Sequence, residues 1–166
     1  MTDHPKEIDE FSSQAREFIS WCQSIHVGKT PEQMQRQALT QLSRVYAAGF
    51  NLPGVDFVLA PDPPRQTQNE RQQLAASLKQ LPFQYYWEVF NPTDEDNKMP
   101  VCGDLFDDFL DICGDLSADL WLYDNKHYET AVFIWNQMFG IHWGRHAVSA
   151  IHALHAFDPH EEQDAA

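Results

Sequence analysis

Basic side chains are scarce in this sequence of 166 residues. Only 11 lysines and arginines stand against 25 aspartates and glutamates, for a formal net charge of −14. So few cations argue against direct binding to nucleic acid or to an anionic membrane surface, since both need a basic footprint. Cysteine is sparse too. Cys22, Cys102 and Cys113 are odd in number and lack C-x-x-C spacing. That pattern excludes a disulfide scaffold and points to reduced thiols in a cytoplasmic protein. Such cysteines are expected as small buried hydrophobes rather than ligands. No uncharged apolar run reaches the roughly eighteen residues of a membrane span. Met1 to Glu10 carries no apolar signal core. The P-loop, the Rossmann fingerprint, H-E-x-x-H and G-x-S-x-G are all missing.

What is present is apolar and aromatic: hydrophobic residues make up 43% and aromatics 13% of the chain, too many for a disordered protein. A chain of this length suits one domain with a sizeable core. Apolar residues recur at steps of three and four, which is the helical period. The expected fold class is all-α: a single-domain bundle of about five helices over residues 1–157, then an acidic, disordered tail over 158–166.

In order, Ile8, Phe11, Ala15, Phe18, Cys22 and Ile25 place a first helix from Lys6 to His26, stopped near Gly28. Thr30-Pro31-Glu32-Gln33 is a capping box with proline at the first helical position, opening a second helix through Met34, Ala38, Leu42 and Val45. Residues 54–66, with Pro61, Pro63 and Pro64, read as an ordered loop. Thr67-x-x-Glu70 opens a shorter helix that Pro82 stops. Phe83 to Phe90 is densely aromatic. With no evident partner strand it is expected as extended chain or a turn of helix. Asp104 caps a helix from Leu105 to Tyr123.

The last helix is expected to run unbroken from about Lys126 to Phe157, roughly 48 Å at 1.5 Å per residue. From Thr130 to Phe157 its only permanently charged side chain is Arg145, accompanied by His142, His146, His152 and His155. A helix apolar all round is a buried one. Tyr128, Val132, Trp135, Phe139, His142, His146, Ala150, Ala153 and Phe157 form one stripe, with Gly140, Gly144, Ala147 and Ile151 opposite. The glycines imply close approach of another helix, or less simply a polar ligand against exposed backbone.

One constellation carries possible chemistry. Asp104, Asp108, Asp111, Asp115 and Asp119 line one side of the fourth helix. Like charges at this spacing repel, so a cation should answer them. In one reading the aspartates bond to His142, His146 or Arg145 and tie two helices together. In another, His142 and His146, four residues apart and so on one face, join Asp108, Asp111 or Asp115 around a divalent metal. A third is a metal-free acid/base pocket. The polar cluster is thus Glu88, Asp108, Asp111, Asp115, His142, Arg145 and His146, with His142, His146, Asp108 and Asp111 as metal ligands. Glu88, alone among aromatics, is expected to be buried with a hydrogen-bond partner.

The segments Tyr85-Tyr86-Trp87-Glu88-Val89-Phe90-Asn91-Pro92, Asp107-Asp108-x-x-Asp111 with Asp115, and Ile141-His142-Trp143-Gly144-Arg145-His146-Ala147 resemble a bacterial all-helical family, the domain of unknown function DUF5063. The resemblance spans most of the chain. Its most specific part is the tryptophan-histidine segment. Asn91 stands where the family motif carries an aspartate, so no ligand role is carried over there. The resemblance implies a helical cytoplasmic protein and no assigned activity; Glu88, Asp108, Asp111, Asp115, His142, Arg145 and His146 all fall inside its motifs.

For function, the absence of a nucleophile or phosphate loop makes a small, soluble, acidic binding or interaction protein without catalytic activity the leading expectation, acting on an unidentified protein partner. The alternatives are a divalent-metal-dependent enzyme, such as a hydrolase, using the aspartate/histidine cluster, and an acidic mimic of nucleic acid.

Overall fold

Local capping chemistry sets where three of the helices begin. In the computed structural model, which describes residues 5–24 and 28–160, α1 spans Lys6–Gln23 and follows Pro5. It ends sooner than its apolar rhythm implies, because Ser24 is extended (φ −74°, ψ 147°). Ile25 and His26, expected in its last turn, lie outside the described residues. α2 (Pro31–Gly49) and α3 (Gln68–Leu78) start at the two capping boxes, each formed reciprocally by Thr30 with Gln33 and by Thr67 with Glu70. Such a cap contributes about 1 kcal/mol.

The aromatic segment forms a strand after all. β1 (Tyr85–Glu88) pairs antiparallel with β2 (Val101–Asp104), Tyr86 opposite Gly103 and Trp87 opposite Cys102. The partner strand escaped notice because Val-Cys-Gly-Asp has no β pattern of its own and reads as the approach to a helix. Cys102 is accordingly exposed, against expectation, while Cys22 and Cys113 are buried; none of the three is in a disulfide. The ribbon runs directly into α4 (Leu105–Asp124), where the Asp104 carboxylate accepts N–H bonds from Phe106 and Asp107.

The expected long helix is two helices, α5 (Tyr128–Ile141) and α6 (Trp143–Ala156), divided at His142 (φ −138°, ψ −91°). Six helices are thus found among the described residues, one more than expected. Gly144 explains the turn: a Cβ there would lie 2.1 Å from the Phe139 carbonyl oxygen. The break also changes which face of α6 is buried. Trp143, Gly144, Ala147, Ala150 and Leu154 face the core, so Gly144 and Ala147 lie on the inner side, and His142 and His146 sit half-buried at its flank.

α4 packs on α1, α3, α5 and α6, and α6 also packs on α2 and β1. Between them lie the largest fully buried side chains, Trp135, Trp143, Phe11, Phe18 and Phe109. The Trp143 indole N–H donates to the Trp135 carbonyl at 3.2 Å, bridging the break. The proline-rich loop is held by side chains of α5: Asn136 donates to the Pro53 carbonyl at 2.8 Å and Thr130 to that of Val58. Gln35 on α2 donates to the Leu154 and Phe157 carbonyls at 2.6 and 2.8 Å, closing the end of α6. Among the described residues no helix is long and apolar enough to cross a membrane.

Candidate metal centre

Where α4 packs on α6, three aspartates meet two histidines. Asp108, Asp111 and Asp115 follow one another at steps of three and four on α4, so they share a face. His142 is the break residue and His146 lies one turn into α6. His142 Nδ1 is 2.6 Å from Asp115 Oδ2, and His146 Nδ1 is 2.7 Å from Asp108 Oδ1. An ionised carboxylate can only accept, so each Nδ1 carries the proton and donates it. In a neutral imidazole the lone pair is then left on Nε2. Both Nε2 atoms turn toward the same oxygen, Asp111 Oδ2, at 4.0 Å from His142 and 3.6 Å from His146. One donor atom from each of Asp111, His142 and His146 falls within 4.8 Å of the other two. The rings meet edge to face, 4.9 Å between centroids.

Two further residues build the site. Tyr86 of β1 donates its hydroxyl to Asp108 Oδ2 at 2.7 Å. Its ring crosses the ribbon over Gly103, where a Cβ would come 2.3 Å from Tyr86 Cζ; only glycine leaves room for it. Arg71 of α3 places Nη2 4.0 Å from Asp111 Oδ1, the carboxylate oxygen that does not face the histidines. Neither residue stands out in the sequence. β1 alternates its faces, with Tyr85 and Trp87 out and Tyr86 and Glu88 in, but Tyr-Tyr-Trp-Glu shows no such alternation in its residue types, so the inward turn of Tyr86 is visible only in the fold.

Burial governs the electrostatics. It pushes the Asp108 carboxyl up, against the pull of its bonds from His146 and Tyr86. It does the same at Asp115, opposed by His142. The bond to Asp108 raises the His146 imidazole more than burial lowers it, and burial with the Asp108 bond raises the Tyr86 phenol. One turn beyond Asp115, Asp119 is pushed up to about 8, by burial first and then by Asp115. Its Oδ2 is buried without a hydrogen-bond partner.

Of the residues singled out from the sequence, Asp108, Asp111, Asp115, His142 and His146 come together. Glu88 and Arg145 do not join them. Both line a separate cleft. Glu88 is half-buried and, among the described residues, has no side-chain hydrogen-bond partner, contrary to expectation. Asp108, counted among possible metal ligands, has both oxygens engaged by His146 and Tyr86. His152 and His155 are exposed.

Two imidazole nitrogens and a carboxylate oxygen are a donor set for zinc, manganese, iron or cobalt. At metal–ligand distances of about 2.0–2.1 Å, tetrahedral donors stand about 3.3 Å apart. The observed 3.6 and 4.0 Å are longer than that, with all three donor atoms inside 4.8 Å of one another, so the side chains must draw together to close on an ion.

Fold and cluster together define a single-domain helical protein with an aspartate–histidine seam between two helices. The family model for a domain of unknown function, DUF5063, matches residues 2–160, and the chain belongs to that family. Its fold is similar to that of protein BF1032 from Bacteroides fragilis, known from a crystal structure: TM-score 0.74, 20% sequence identity, 90% of each chain covered. No curated protein matches the sequence.

Proposed function

We propose that this protein binds a divalent transition-metal ion through His142 Nε2, His146 Nε2 and Asp111 Oδ2, and that the ion serves metal-assisted hydrolysis. One observation carries the reading: each Nδ1 is already held by a carboxylate, and both remaining nitrogens turn to one oxygen of a third. Tying two helices together needs only one nitrogen per ring. The second convergence is what a metal requires. Asp115 and Asp108 then act as orienting partners, which fix the tautomer and raise ligand basicity. Three protein ligands leave positions for water, whose pKa a bound zinc ion lowers to near 7. Acidic mimicry draws no support from the aspartate stripe, since Asp108 and Asp119 are buried.

The test is elemental analysis of full-length protein prepared without chelator, followed by calorimetric titration with Zn²⁺, Mn²⁺ and Co²⁺. The expected result is one ion per chain, lost in the double variant His142→Ala, His146→Ala with its helical circular dichroism retained. A wild-type chain that takes up none of the three ions refutes it.

A second reading, an interaction protein without catalysis, is favoured by the outer face of the ribbon. Tyr85 and Trp87 are 64% and 72% exposed there, with Met99 nearby in sequence 75% exposed. It requires a co-purifying partner that Trp87→Lys releases.

A further inference from the structure

Gly140 and Gly144 sit at the break between α5 and α6 and have different environments. An added Cβ at Gly144 would strike the Phe139 backbone, so that glycine belongs to the turn. At Gly140 nothing lies within 4 Å of such an atom. Packing therefore does not explain its missing side chain. It opens instead into a cleft of about 700 Å³, between the end of α2, the segment after β1 and the start of α6. That volume lies in the range of small-molecule sites.

Aromatic rings make the walls. Tyr46 and Phe139 pack with centroids 5.1 Å apart, and Phe90, 66% exposed, lines the same cleft. Val89, Pro92 and Val148 add to the apolar lining. A single permanent cation serves the rim: the Arg145 guanidinium lies 5.8 Å over the Phe90 ring. Among the described residues it forms no ion pair, although the chain holds 25 carboxylate side chains and Glu88 lines the same cleft. Its donors are therefore available, with the Phe90 ring face within cation–π range of the guanidinium. None of Asp108, Asp111, Asp115, His142 and His146 lines this cleft.

We propose that the cleft is a binding site for a small aromatic anion. The ring lies between Tyr46, Phe139 and Phe90 over Gly140, and its acidic group meets Arg145. Ring-lined walls favour a planar aromatic body over an alkyl chain, and an unpaired guanidinium favours a carboxylate or sulfonate. This site is independent of the metal centre, and either can fail without the other.

The probe is 2-naphthoate, with neutral 2-naphthamide as its uncharged counterpart, titrated into ¹⁵N-labelled full-length protein. The expected result is saturable shifts of the Phe90, Gly140, Arg145 and Val148 amides. Gly140→Leu, which fills the floor without straining the backbone, should weaken both probes about tenfold or more. Arg145→Gln should weaken 2-naphthoate about tenfold and leave 2-naphthamide unchanged. The proposal is overturned if 2-naphthoate causes no saturable shifts at these amides, if Gly140→Leu binds it like wild type, or if Arg145→Gln weakens both probes alike.

Discussion

Replacing Asp115 with asparagine leaves all three proposed metal ligands in place and alters only the partner that holds one of them, which makes it the most discriminating change in the seam. Asp115 Oδ2 receives the His142 Nδ1 proton at 2.6 Å. An asparagine amide in its place offers at best a neutral acceptor, and in its flipped form a second donor facing the first. Loss of such an orienting partner costs about 10–100-fold in metal affinity. The consequence can be worked through the melting temperature. With metal at about a hundred times Kd, binding stabilises the wild type by about 2.7 kcal/mol. A domain of this length gains roughly 2–4 °C per kcal/mol, so the metal-induced shift should be about 5–11 °C. A site about tenfold weaker at the same metal concentration retains about 1.4 kcal/mol, half of that shift. One about a hundredfold weaker retains about 0.4 kcal/mol, near the limit of detection. The assay is a thermal melt of Asp115→Asn and wild type, each with and without Zn²⁺, the metal-free melts serving as the reference for folding. Equal metal-induced shifts in the two proteins would refute the orienting role of Asp115, and with it the inference that the carboxylate–histidine pairs exist to aim Nε2.

Three further expectations follow from particular contacts. Asp119 is neutral in the folded protein up to about pH 8 but ionises near 4 when unfolded; between these values the unfolded state binds fewer protons, so this group's contribution to stability is full below about pH 4 and is lost as pH rises toward 8. Asp119→Asn should therefore raise the melting temperature more at about pH 8 than at about pH 5, and an equal change at both would contradict a raised Asp119. Gly144→Ala should lower stability by more than about 2 kcal/mol, because its Cβ meets a backbone oxygen at 2.1 Å, whereas Gly140→Ala, in open space, should raise it by up to about 1 kcal/mol in urea unfolding. Gly103→Ala forces the Tyr86 ring away from a Cβ at 2.3 Å; the Tyr86–Asp108 bond should break, at about 1.5–3 kcal/mol, and Tyr86→Phe in the same background should cost nothing more.

The parts of this fold that can be read in one dimension are those made by neighbours in the chain. Thr30 with Gln33, Thr67 with Glu70, and Asp104 with the N–H groups after it are contacts across three residues or fewer. Residue order specifies them without reference to the rest of the molecule. The same holds for the apolar rows of α1 and α2 and for Asp108, Asp111 and Asp115, which helical periodicity places on one face of α4; pairing His142 with His146 in the sequence presumes a continuous helix, whereas it is the break at His142 that brings them together. Three features depended on distant partners. β1 needed Val101, the residue opposite Glu88 across a long connection, before it could be a strand. The end of α5 was set by the Phe139 carbonyl and the burial of Trp143, while glycine and histidine are residues that a continuous helix also tolerates. The division of labour among the aspartates, with Asp108 and Asp115 holding Nδ1 and Asp111 facing both Nε2 atoms, depends on how far α6 turns about its axis after the break. A helical projection gives the face a residue occupies on its own helix; the ångström-scale distances to the neighbouring helix come from packing the whole core.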